Sequence, residues 1–136
     1  MVSLKVNKKT TIDSIKDQFS IIYPYLKLEF FKRPPHTING NLRRYIYEGD
    51  TKLFTISTRI TAGEISITGK MKVEELESLF SERYGLNAQV FRKSGNVWLE
   101  TTATDAWTLE QQNEEGRSLQ SDLNREKEDV NDHDIY

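Results

Sequence analysis

Residues 64–93, EISITGKMKVEELESLFSERYGLNAQVFRK, contain two kinds of hydrophobic spacing. Ile65 and Ile67 alternate with polar residues, which is the pattern of a half-buried β-strand. A series of apolar residues at steps of three and four follows, centred on Leu76 and Phe80, and this spacing indicates one face of a helix. Alternation then resumes. The stretch is therefore predicted to form a strand, a helix and a second strand.

Residues 3–32, SLKVNKKTTIDSIKDQFSIIYPYLKLEFFK, show the same order of patterns at a constant offset of 61 residues. The aligned apolar pairs are Leu4 with Ile65, Val6 with Ile67, Ile12 with Val73, Ile15 with Leu76, Phe19 with Phe80, Tyr23 with Tyr84 and Phe30 with Phe91. Two tandem strand-helix-strand units predict an α+β fold, most simply a ferredoxin-like sandwich with two helices on one face of a single antiparallel sheet. The helices are expected at about residues 11–23 and 72–84.

The ends of the helices have local signals. Thr10 with Asp13, and Thr108 with Gln111, have the spacing of an N-terminal capping box. Glycine favours the left-handed conformation that commonly follows a helix, so Gly85 is predicted to end the second helix and Gly116 the last one.

The predicted organisation is a single domain followed by a tail. A single domain covers 1–116, and it contains an insertion at 33–63, predicted to hold a hairpin or, alternatively, a short helix followed by a strand. A further strand at 97–102 and a short helix at 109–115 follow the second unit. Few large apolar residues occur among the charges of 117–136, which predicts an acidic, flexible tail.

Composition excludes several kinds of chemistry. Without cysteine, the chain has no disulfide, thiolate metal site or cysteine nucleophile. The histidines, His36 and His133, are far apart, so neither a metal nor another cofactor is expected. The start has no apolar signal segment, and no membrane span is expected. These features predict a protein of the cytoplasm that does not bind a membrane.

Charge is distributed unevenly along the chain. Residues 1–104 carry 16 lysines and arginines against 11 acidic residues, whereas residues 105–136 carry 3 against 10. The body is therefore basic and the C-terminal part acidic, and the acidic part is interpreted as solubilising or as a shield for the basic body.

The second unit resembles a recurring element in small proteins of Bacteroidetes-type bacteria, with the pattern IxGxMxVxxLxxxFxxxYGL. The matching residues are Gly69, Met71, Val73, Leu76, Phe80, Tyr84, Gly85 and Leu86. The first unit departs from the pattern, with Lys8 at the glycine position and Thr10 at the methionine position. No activity is known for that group, so the resemblance supports the fold only.

The hypothesis favoured by the sequence is a protein-interaction or regulatory domain without enzymatic activity, binding another protein or a second copy of itself. Val97 and Leu99 are expected to face the core, which would leave Trp98 exposed as a binding anchor. The other candidate partner-binding residues are Trp107, Leu119 and Leu123.

The alternative hypothesis is a nucleic-acid-associated protein. Its candidate polyanion-binding residues are Lys32, Arg33, Arg43, Arg44 and Tyr45, which combine cations with an aromatic ring. Ferredoxin-like RNA-recognition domains stack bases on aromatic residues of their first and third strands. The corresponding strands here, SLKVN and EISITG, contain no aromatic residue.

A third hypothesis is an enzyme, in which His36 acts as a general base and the nearby arginines bind an oxyanion or phosphate. A loop histidine with a purely polar role explains His36 more simply, and no catalytic residue is assigned.

Overall fold

The computed structural model describes residues 2–134, with side chains described through residue 124. The strands and longer helices, in chain order, are β1 (Val2–Val6), α1 (Ile12–Ile22), β2 (Leu26–Phe31), α2 (Leu53–Ile56), β3 (Gly63–Ile67), α3 (Val73–Tyr84), β4 (Asn87–Ser94), β5 (Val97–Glu100) and α4 (Leu109–Asp134). Three short 3-10 turns lie in the connections. The fold is α+β, and both strand-helix-strand units are present.

The strands of the described chain form two antiparallel sheets. One sheet pairs β1 with β3, and the other has the order β2-β4-β5. Equivalent strands of the two units therefore pair with each other. The single four-stranded sheet of a ferredoxin-like sandwich is not confirmed, because the second strands pair with each other instead of joining β1 and β3.

The strand pairing relates the two units by an approximate two-fold axis. Leu4 pairs with Ile65, which is its equivalent in the repeat. In the other sheet, Glu29 pairs with Gln89 at the centre of the β2-β4 ladder. An axis through both pairs exchanges the units, as in a symmetric dimer joined into one chain.

The repeat continues beyond the two strand-helix-strand units. Leu53, at the start of α2, donates its N–H to the carbonyl of Thr10, at 3.0 Å. Leu109, at the start of α4, donates in the same way to Met71, at 2.9 Å. Both leucines are fully buried. The insertion and the C-terminal segment thus end in equivalent helices, each held against the N-terminus of the main helix of its unit.

The predicted alignment is wrong by one residue in the second strands. Phe30 is buried in the core, whereas Phe91 lies on the opposite, outer face of the sheet. The second unit has one residue fewer between its helix and strand, since Leu26 follows Tyr23 by three positions and Leu86 follows Tyr84 by two. One residue moves every side chain of a strand to the other face.

One hydrophobic core joins both sheets and the helices. It includes Leu4 and Ile65 from the first sheet, Phe30 from the second, and Phe19 and Phe80 from the two long helices, all buried. Phe80 and Phe30 meet edge to face, with 5.3 Å between ring centroids. The apolar series predicted for the first strand and the helix of each unit therefore lies in the core.

Two of the four predicted helix-end signals are confirmed, whereas those at Thr10 and Gly116 are wrong. Thr108 and Gln111 form a reciprocal capping box, with N–H donations of 2.9 and 3.1 Å. Gly85 has φ of 66° and follows α3 as predicted. At α1, the capping side chain belongs to Thr11, which accepts from the Ser14 N–H at 3.2 Å, instead of to Thr10. Thr10 is buried and caps the preceding turn.

The last helix is much longer than predicted, because it continues through Gly116 to Asp134. Gly116 lies where α4 crosses Tyr25: a Cβ at this position would be 2.8 Å from Tyr25 Cβ and 3.4 Å from Arg92 Cγ. Its role is close approach between elements, so the prediction that it ends the helix is wrong. That residues 117–136 form a flexible tail stays a prediction.

The insertion and β5 also differ from the predictions. Residues 33–63 contain two 3-10 turns, a bridge from Ile46 to Phe31, and α2, instead of a hairpin. Val97 and Leu99 are 56% and 43% exposed, so they are not core residues. They lie on β5, an edge strand of the β2-β4-β5 sheet, and their side chains stay accessible to solvent.

Candidate functional site

Four side chains from three strands form a basic-aromatic face on the outer side of the β2-β4-β5 sheet: Lys27, Phe91, Lys93 and Trp98. Strand register places Lys27 opposite Phe91 and Lys93 opposite Trp98, and paired residues share a face. The Lys27 and Lys93 ammonium groups lie 5.1 and 5.0 Å from the Trp98 ring centroid. Lys27 also lies 5.6 Å from the Phe91 centroid. All four side chains are half-buried.

Local folding explains this arrangement. The β4-β5 turn has two residues, Gly95 and Asn96, between the paired Ser94 and Val97. Gly95 has φ of 62°, a conformation that favours glycine. A two-residue turn sets the register, and therefore brings the residues that precede and follow this pair, Lys93 and Trp98, directly opposite each other.

Positive charge is concentrated at this face. Burial lowers the pKa of Lys27, and the nearby cations Lys16, Arg43 and Lys93 lower it further, while Glu29 opposes the shift. Glu29 is buried and forms an ion pair with Lys16. Among the side chains that the structure describes, no carboxylate forms an ion pair with Lys27, Lys93 or Arg43. The cations therefore exceed the acids that could neutralise them.

The structure brings the predicted polyanion-binding residues together around Tyr45, which shares a 3-10 turn with Arg43 and Arg44 and accepts the Lys32 N–H at its carbonyl, at 2.7 Å. Lys32 lies over Tyr47, with 5.9 Å to the ring centroid, and Tyr47 packs against the core. Arg33 lies over Tyr45 at 5.5 Å and donates to the Thr37 carbonyl at 3.0 Å. Neither pair includes a residue of the basic-aromatic face.

Arg43 and Arg44 differ in their surroundings. Both belong to a short 3-10 turn and are exposed. Arg43 is close enough to Lys27 for its charge to affect that group. The predicted set therefore contributes Arg43 to the neighbourhood of the basic-aromatic face.

The predicted partner-binding residues do not form one surface. Trp107 is 39% exposed and stacks with Arg92, whose guanidinium lies 5.8 Å from the ring centroid. Leu119 and Leu123 are half-buried on α4, and Leu123 Cδ1 lies 3.5 Å from where a Cβ of Gly95 would be. Trp98 is on the outer face of the sheet, whereas α4 packs on the other.

An acidic groove of about 560 Å³ lies between α3, the end of β5 and the insertion. His36 lines it, together with the carboxylates of Glu74, Glu77, Glu82, Glu100 and Asp105. The enzyme hypothesis placed arginines beside His36, but Arg43 and Arg44 are not among the residues that line this groove.

Glu77 is the groove residue with the clearest structural role. Its Oε2 accepts the Val90 N–H at 2.9 Å, while the Val90 carbonyl accepts the Thr101 hydroxyl at 2.9 Å. These contacts satisfy the backbone of β4 where β5 has ended. Burial raises the pKa of Glu77 to about 7, with a smaller contribution from Asp105, although the Val90 N–H opposes the rise.

Glu77→Gln is expected to stabilise the protein at pH 8 and to leave it nearly unchanged at pH 5. A carboxyl whose pKa is raised in the folded state costs stability as pH increases from about 4.5 to 7, and a glutamine has no such cost. We expect a pH-dependent difference of about 1–2 kcal/mol, after allowance for the part that solvent screens. Urea unfolding at both pH values measures it.

The matched control for Glu77 is Glu82→Gln, which removes an exposed charge from the same groove and helix without affecting a β4 backbone group. An equal pH-dependent gain in both variants would contradict the assignment to Glu77, because it would reflect the general charge of the groove.

Other site classes receive no support from the described residues. Among them, no group of three or more His, Cys, Asp or Glu side chains is arranged to hold a metal ion. No described helix is long and apolar enough to cross a membrane.

No known protein family, curated protein or solved structure matches the chain. The resemblance to the Bacteroidetes-type element stays a prediction.

Phe91 and Lys93 were not predicted from the sequence as site residues, and Trp98 was predicted as part of a protein-binding surface. The signal was present, because the KSGN turn implies that Lys93 and Trp98 face each other. Lys27 could not be found this way, since its position depends on the pairing of β2 with β4, which are about 60 residues apart.

Proposed function

We propose that this protein binds nucleic acid, and that its basic-aromatic face contacts the phosphates. The observation that carries the proposal is the convergence of two ammonium groups, Lys27 and Lys93, on the Trp98 ring without a carboxylate partner. Phosphate contacts from lysine and arginine supply most of the affinity of proteins for nucleic acids.

The electrostatics of Lys27 support an anionic ligand. Burial is the main cause of its lowered pKa, Glu29 opposes the shift, and the neighbouring cations add to it; a phosphate placed among these cations would favour the charged form of Lys27. Glu29 is already paired with Lys16, so it does not compete for Lys27 and Lys93 through a direct ion pair. Arg43 provides a further exposed cation beside the same face.

The test compares binding to heparin, a polyanion without bases, by wild type and by the double variant Lys27→Gln/Lys93→Gln. The variant is expected to bind more weakly. Its plot of log affinity against log salt concentration should also be less steep, with a slope smaller in magnitude by about 1.5, because two contacts to anionic groups are lost. Titrations between about 50 and 200 mM salt measure both quantities.

The matched control is Lys8→Gln/Lys9→Gln, which removes the same charge from exposed positions between β1 and α1. It is expected to bind heparin nearly as well as wild type. Equal losses in the two double variants would mean that only overall charge matters, and the proposed face would be wrong.

Protein binding is a second candidate, and a different surface favours it. Val97 and Leu99 are exposed on edge strand β5, where unpaired backbone groups and apolar side chains can add a partner strand. These residues lie on the side of the sheet opposite Trp98, so a protein bound there would leave the basic-aromatic face open. The absence of catalysis and the location in the bacterial cytoplasm stay predictions.

A further inference from the structure

We propose that the nucleic acid bound by the basic-aromatic face is single-stranded, with bases stacked on Trp98 and Phe91. This inference rests on the proposed function and specifies its ligand. It starts from the two rings, since the lysines alone would suit any polyanion.

The rings are placed on a sheet rather than in a core. Trp98 and Phe91 belong to neighbouring strands, both lie on the outer face, and neither belongs to the hydrophobic core cluster. Rings presented by adjacent strands can stack successive bases, and each stacked base contributes about 1–3 kcal/mol of affinity. In a duplex the bases already stack on each other, so these rings would gain little from it.

Lys27 and Lys93 can leave the Trp98 ring and contact phosphates when a nucleic acid binds. In the free protein their ammonium groups cover Trp98, and such contacts contribute only about 0.5–1 kcal/mol at partly exposed sites. Stacking of a base contributes about 1–3 kcal/mol, which offsets the loss of these two contacts. The released ammonium groups would stay within reach of the phosphates on either side of that base.

The surrounding charges limit the length of the site. Glu100 pairs with Phe91 on the same face and lines the acidic groove, and Glu29 lies two pairs beyond Lys27 along the β2-β4 ladder, also on that face. These carboxylates repel a phosphate backbone beyond Phe91. The stacking site therefore accommodates about two bases, fewer than the roughly 4–16 nucleotides that a single-strand-binding OB fold covers.

The experiment measures the affinity of wild type and Trp98→Ala for three probes by fluorescence anisotropy. The probes are single-stranded oligothymidine of about ten nucleotides, an abasic deoxyribose-phosphate oligomer of equal length, and a duplex of equal length. Wild type is expected to bind oligothymidine most tightly. Trp98→Ala should weaken oligothymidine binding about 5- to 150-fold and leave abasic binding unchanged.

Trp98→Phe is the matched variant, because it keeps an aromatic face and should retain most of the oligothymidine affinity. In a Trp107→Phe background, oligothymidine should quench the remaining tryptophan fluorescence, which comes from Trp98 alone. An oligouridine probe shows whether RNA binds in the same way. Thermal melting checks that each variant is folded.

Three results would overturn the inference. They are tighter binding of the duplex than of the single strand, an equal loss of abasic and oligothymidine binding in Trp98→Ala, and an absence of Trp98 quenching on saturation. The proposed function fails separately, when the Lys27→Gln/Lys93→Gln variant binds heparin as wild type does.

Discussion

Phe80→Ala is expected to lower the free energy of unfolding by about 3–5 kcal/mol. The Phe80 ring is fully buried between its contacts with Phe30 and Tyr84, at 5.3 and 6.5 Å between ring centroids. Its removal leaves a cavity where α3 meets the β2-β4-β5 sheet. Urea unfolding, monitored by circular dichroism, measures the loss.

Two further variants make this experiment specific. Phe19→Ala, at the equivalent buried position in the first unit, should cost a similar amount. Ile21→Ala is the control, because Ile21 lies on α1 but is 79% exposed, and its loss should be within about 0.5 kcal/mol. A loss below about 1 kcal/mol at Phe80 would show that the ring does not join the helix to the sheet.

Gly116→Ala is expected to destabilise the protein by about 1–3 kcal/mol. Alanine has the higher helix propensity, so at an exposed helical position the same change would stabilise by up to about 1 kcal/mol. Here the new Cβ would be 2.8 Å from Tyr25 Cβ and 3.4 Å from the Tyr25 carbonyl oxygen. Neither atom is the free end of a flexible side chain, so the helix or β2 must move.

The control is Glu115→Ala, at the exposed neighbouring position, which should change the stability little. A second variant, Tyr25→Gly in the Gly116→Ala background, should lose much less from the alanine than wild type does, because the Tyr25 Cβ is then absent. Stabilisation by Gly116→Ala alone would contradict the close packing of α4 on β2.

Local sequence patterns gave correct predictions where interactions between residues close in the sequence decide the structure. The steps of three and four around Leu76 and Phe80 correctly predicted α3, and the Thr108 capping box correctly predicted the start of α4. Each depends on residues within a few positions of one another, which the sequence displays directly. The positions of the two units and the α+β class followed from such patterns.

Strand pairing was not predictable in the same way. An alternating strand pairs equally well with any strand that presents a matching apolar face, so the pattern of β2 did not distinguish β3 from β4 as its neighbour. The missing residue between α3 and β4 also changed the alignment of the second strands without changing their alternation. The ferredoxin-like sheet was therefore a reasonable prediction that the pairing did not confirm.

The sequence by itself determined the core residues of the two main helices, the strand-helix-strand order of each unit, and the existence of a repeat. These properties depend on periodicity, which each segment carries alone. Tertiary structure decided that equivalent strands pair across an approximate two-fold axis and that Gly116 serves packing instead of ending a helix. It also placed Lys27 beside Trp98. The physical reason is that backbone hydrogen bonds and close contacts between distant segments select one pairing from several that local patterns allow equally.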